Sequence, residues 1–139
     1  METLRFARAR DLPPEGEPLE GPALDPSSLV GTWVNFDAAS RGIARLVIKD
    51  DGAGGMTVRT FGAGFDEPRD WGEVPGHPFS DGVALSPAVA FTALHHFGSR
   101  TVTLACYLNK CLLVVDAYTR FQDGSGRSGY FARDHFYIP

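Results

Sequence analysis

The side chains of this chain best suited to proton transfer, or to polarising a carbonyl, are His95, Arg59 and Tyr130, with Asp134 as a nearby carboxylate in the pattern derived below. The four histidines, His77, His95, His96 and His135, lack the spacing of metal ligands. His95 and His96 are adjacent, and neighbours on a strand face opposite sides of a sheet, so they cannot share an ion. Cys106 and Cys111 are two thiols where a structural zinc takes four ligands. Asp50–Gly52 reads as a turn, because the later Glu of a calcium loop is missing. No Gly-x-Ser-x-Gly elbow, P-loop or HExxH motif is present. No metal and no cofactor is expected. The remaining chemistry is that of a few polar groups orienting a small molecule.

The elements that must position those groups are strands. From Leu29 onward Val, Ile, Thr, Phe and Tyr recur in short runs separated by Gly, Asp, Asn and Pro. The runs predict strands near 29–36, 43–49, 56–63, 70–74, 88–97, 100–108, 111–121 and 128–138, with 75–87 as the one long irregular connection. Gly98-Ser99 and Asn109-Lys110 read as tight hairpin links, and Asp123–Gly126 as a longer Gly-rich one. Short reversals between eight strands describe an antiparallel meander, and closing it removes both exposed edges. The predicted fold is all-β: an eight-stranded antiparallel up-and-down β-barrel over residues 29–139. Residues 1–28 hold five of the ten prolines, which suits neither a sheet strand nor a long helix, and read as an irregular Pro-rich tail or lid.

Alternation then assigns the interior. Across a turn at 109–110, Cys106 meets Leu113 and Leu104 meets Val115, an apolar face. Back across 98–99, Val102 meets His95 and Cys106 meets Phe91, so His95, Phe91 and Phe97 point inward and His96 outward. Forward across 123–126, Thr119 meets Tyr130 and Val115 meets Asp134, which places both inside. A six-residue loop at 50–55 sets Leu46 against Arg59 and Ala44 against Phe61, making Arg59 an interior cation. The expected ligand-binding set is therefore Phe61, Phe91, His95, Phe97, Leu104 and Leu113, joined by Tyr130, Asp134 and, at the rim, Trp71.

Net charge of −4 gives no basic patch of the kind nucleic-acid binders carry. A chain of 139 residues can bury about two-thirds of its unfolded surface and needs no disulfide, so both cysteines are expected as buried free thiols. The chain shows neither an apolar signal segment nor a run of about 18 apolar residues, which predicts a cytoplasmic protein with no membrane span.

"GTWVN" at Gly31–Asn35, opening such a meander, resembles the first-strand signature of the calycin superfamily of lipocalins, fatty-acid-binding proteins and avidins. The resemblance implies a calycin-like barrel in which Gly31 permits close backbone approach and Trp33 plugs the closed floor. In many lipocalins an Arg of the last strand stacks on that Trp, a place Arg133 or Arg120 would take. The further tryptophans of a biotin cage are missing, since the other Trp is Trp71. The expected function is binding of a small apolar or amphipathic molecule in the cavity, by a monomer or homodimer. The alternative is a cofactor-independent cyclase or isomerase of a bacterial natural-product pathway, folding a polyketide-like chain, with His95, Tyr130 or Arg59 as catalytic groups.

Overall fold

The computed structural model describes residues 23–139. These contain eight strands and no helix: β1 (Gly31–Asn35), β2 (Ile43–Asp50), β3 (Met56–Gly62), β4 (Arg69–Ser80), β5 (Ala88–Phe97), β6 (Arg100–Asn109), β7 (Leu112–Phe121) and β8 (Tyr130–Tyr137). Each strand pairs antiparallel with the next and β8 returns to β1, giving a closed barrel in chain order. The expected Pro-rich tail or lid lies largely outside the described residues. Of its last part, Asp25 bridges to the 80–88 connection, donating its N–H to the Ser86 carbonyl and accepting from the Ala88 N–H. No helix among the described residues is long and apolar enough to cross a membrane.

The closing ladder is short. β1 meets β8 only at Val34–Tyr137 and Asn35–Phe136, extended by a Phe36 N–H to His135 carbonyl bond of 2.8 Å. β6 and β7, by contrast, stay paired from Arg100–Phe121 to Asn109–Leu112. β4 is longer than expected and takes up the first half of the 75–87 stretch. Its last residues, His77–Ser80, have a neighbour only in β5, and at such an edge the missing donor of Pro78 is tolerated.

The hairpin phases decide what faces inward. β5–β6 turns at Gly98-Ser99 and sets His95 against Val102 and Phe91 against Cys106, as the sequence predicts. β7–β8 likewise sets Thr119 against Tyr130 and Val115 against Asp134. The β6–β7 turn falls at Lys110-Cys111, both at positive φ, and not at Asn109-Lys110. Cys106 therefore meets Val115 rather than Leu113. The slip is by two residues, so the faces are unchanged. It does place Cys111 in an exposed turn, and only Cys106 is a buried thiol.

One phase is reversed. Asp50 pairs with Met56, leaving the five residues 51–55 in the loop rather than six. The Asp51 carboxylate accepts from the N–H groups of Ala53 and Gly55 at 2.8 and 2.9 Å, bonds that hold its pKa below the ordinary value. The shift is by one residue, so Leu46 meets Thr60 and Arg45 meets Phe61. Arg59 and Phe61 are corrected to the outer face, where Arg59 pairs with Asp70 and the Arg45 guanidinium lies 4.2 Å from the Phe61 ring centre. Val58 and Thr60 are buried in their place.

Most of the barrel is filled by its own side chains, among them Leu46, Phe91, Leu104, Leu113 and Phe136. Trp33 belongs to this core and sends its indole N–H back along β1 to the Leu29 carbonyl at 2.8 Å. Gly31 has φ +145°, and a Cβ there would stand 3.1 Å from the Ile138 side chain, so both conformation and space call for glycine. The expected Arg stack on Trp33 is absent. Arg133 points outward and makes a two-pronged bond to Asp116 at 2.6 and 2.9 Å, and Arg120 is exposed.

Candidate functional site

The open end of the barrel gathers the first residues of β2, β4, β6 and β8 and the last of β3, β5 and β7. A bulge shapes it. Arg59 pairs with Glu73 but Phe61 pairs with Asp70, so Trp71 and Gly72 together oppose Thr60. The extra residue, with Gly72 at φ +89°, lets Asp70 and Glu73 both face outward while Trp71 turns in. The indole packs over Gly62, where a Cβ would fall 2.5 Å from the Trp71 ring nitrogen. Gly72→Ala is expected to destabilise the protein by about 1–2 kcal/mol, through backbone conformation alone, since its Cβ would meet nothing. Urea titration measures this, and a red shift of tryptophan emission reports Trp71 leaving its seat.

Beneath Trp71 lies His95, 1% exposed. Its Nε2 is 2.8 Å from the Thr60 hydroxyl, itself fully buried. Trp71 meets the imidazole edge-on at a ring separation of 5.6 Å, and Phe97 stacks at 6.3 Å. Burial pushes the imidazole pKa below its ordinary 6.5, against a smaller upward pull from the Trp71 backbone. The ring is thus held neutral, and a hydroxyl satisfies its nitrogen in either tautomer. A hydroxyl–imidazole pair at this distance has the geometry of a nucleophile and its base. Here both partners are sealed from the open end, which makes the pair a satisfied buried contact.

Above Trp71 is a cup of about 130 Å³. Its walls are Val102, Val115, Ala117, Thr119 and Ala132, and the small Ala117–Ala132 pair across β7 and β8 leaves the space. Arg41, Arg69, Arg100, Tyr130 and Asp134 form the rim. Two larger depressions, of about 800 and 550 Å³, lie outside the lumen, one between the 36–41 and 63–68 loops and one on the outer wall beside Tyr118 and Phe131.

Of the residues expected to form a site, the structure brings Trp71, Tyr130 and Asp134 to the cup and packs His95 and Phe97 against Trp71. Tyr130 stands at the rim, half exposed, rather than in the interior. Phe91, Leu104 and Leu113 belong to the packed core below. Arg59 and Phe61 are outside the barrel. Thr60 and the three rim arginines were not legible from the β2–β3 phase, although Arg100 shares the inward parity of Val102 and was available from the β5–β6 hairpin. Gly124–Gly129, GSGRSG, matches a dinucleotide-loop pattern by letter, but it connects two strands and opens no helix. Among the described residues no group of three or more His, Cys, Asp or Glu is placed to hold a metal ion. Comparison with protein-family models, curated proteins and solved structures finds nothing that matches this chain.

Proposed function

We propose that the protein binds a small apolar or amphipathic molecule in the cup at the open end of a calycin-like barrel. The observation that carries this reading is a concave space with apolar side chains on its walls and polar groups converging on its rim, the usual form of a small-molecule site. Trp33, which with Gly31 carries the calycin resemblance, supports it by belonging to the core that fills the lumen. An apolar cavity of about 150 Å³ accommodates benzene. A cup of about 130 Å³ therefore suits one ring or the end of a short chain. That size favours binding over the folding of a long polyketide-like chain.

Benzyl alcohol is a suitable neutral probe, followed by ligand-observed NMR and by quenching of tryptophan emission. The wild-type chain is expected to show saturable binding. Ala132→Phe, which fills the cup from its wall, is expected to abolish the signal while shifting the unfolding free energy by about 1 kcal/mol or less, since the site adjoins open space. Unsaturable binding in the wild type, or equal binding in the filled variant, would remove the cup as the site.

A further inference from the structure

We infer that the ligand is an organic anion, a carboxylate or phosphate head group carried on a single ring or short apolar chain; this rests on the cup being the binding site. The inference comes from where the arginines find partners. Arg59, Arg127 and Arg133 pair with Asp70, Asp123 and Asp116 on the outer surface. Arg41, Arg69 and Arg100, like Arg45 and Arg120, make no ion pair with another described residue, but these three stand together on the rim of one cup. They come from the starts of three different strands or the turns just before them: Arg41 ahead of β2, Arg69 opening β4 and Arg100 opening β6. Three guanidiniums face one rim carboxylate, Asp134, in a chain whose net charge is −4.

The chemistry of the rim narrows the anion. A guanidinium presents paired N–H groups that match a carboxylate edge. The Arg100 guanidinium lies 5.2 Å from the Phe97 ring centre, a contact that fixes the cation and leaves its N–H edges free to donate. Tyr130 adds a hydroxyl at the same rim. Asp134 offsets one of the three positive charges, so the rim keeps an excess of positive charge for an anionic head group, carboxylate or phosphate. The apolar walls below take the uncharged part of the ligand, and the depth of the cup sets its length.

Calorimetric titration of the full chain at low ionic strength and near neutral pH, with benzoate, benzamide and phenyl phosphate, tests this. Benzoate and benzamide share size and shape and differ in charge. Benzoate is expected to bind about tenfold or more tightly than benzamide, with the advantage shrinking as salt is added. In the triple variant Arg41→Gln, Arg69→Gln, Arg100→Gln the two are expected to bind alike, with an unchanged urea unfolding midpoint as the sign that the barrel is intact. Equal binding of benzoate and benzamide to the wild type would overturn the charge assignment and leave the cup standing. Failure of both to bind would overturn cup and charge together. Tighter binding of phenyl phosphate than of benzoate would assign a phosphate head group, and the reverse order a carboxylate.

Discussion

Trp33→Ala is expected to destabilise the barrel by about 3–5 kcal/mol, the range for truncating a large buried aromatic. The indole is 3% exposed and belongs to the same core as Leu46, Phe91 and Phe136. Its loss leaves a hole that a closed ring of strands cannot collapse to fill, because every neighbour is tied into ladders on both sides. It also leaves the Leu29 carbonyl without the indole N–H. Equilibrium urea unfolding measures the effect. Trp33→Phe keeps one aromatic ring but removes the donor and part of the indole volume, and it is expected to cost less, about 1–3 kcal/mol. A loss below about 1 kcal/mol for Trp33→Ala would mean that the indole does not hold this part of the core.

The second large effect belongs to the Thr60–His95 pair. Thr60→Val keeps the shape of the side chain but strands the buried His95 Nε2, and His95→Phe strands the Thr60 hydroxyl. Each single change is expected to cost about 1–3 kcal/mol, whereas the double variant, with two apolar partners, is expected to recover much of the loss. Double-mutant analysis of unfolding free energies reads this coupling directly. pH supplies an independent readout. The folded-state pKa of His95 lies below 6.5, so the unfolded chain takes up the proton first as pH falls. The contribution of His95 to stability is complete above that value and declines as pH drops from about 6.5 towards the folded pKa. The double variant is expected to lose this part of the acid sensitivity. An unchanged acid profile would show that the imidazole is not held neutral by burial.

The sequence was legible where a turn had a length that could be counted with confidence. Gly98-Ser99 fixed the β5–β6 register to the residue, and with it the inward aim of His95. The β6–β7 turn was placed one residue early, yet the resulting slip of two preserved every face. At β2–β3 the error was a single residue, and it exchanged Thr60 for Arg59 in the interior. Nothing local marks that difference, because Asp50–Gly55 offers glycines and carboxylates for a turn of either length. The Trp71 bulge is the other hidden feature. Gly72 was visible, but its positive φ and the inward swing of Trp71 follow from how β3 and β4 meet, not from the residues of β4 alone. The Ala117–Ala132 pair follows from the β7–β8 hairpin and was legible with it, but the cup as a whole was not, because Trp71 reaches it only through the β3–β4 bulge.

The brevity of the β1–β8 ladder has a bearing on how the barrel comes together and how it breathes. Every other ladder joins neighbours in the chain, so its residues find one another by local search. The β1–β8 seam alone unites the two ends of the meander, at the greatest loss of chain entropy and with the fewest bonds to offset it. That is where the wall should part first, as accelerated exchange of the Phe36 amide, which donates to the His135 carbonyl, would register. The upper half of β8, Tyr130–Asp134, has no β1 partner at all and forms one side of the cup. That side of the cup is therefore held by one ladder instead of two, and it is the part of the wall with the least to keep it in place.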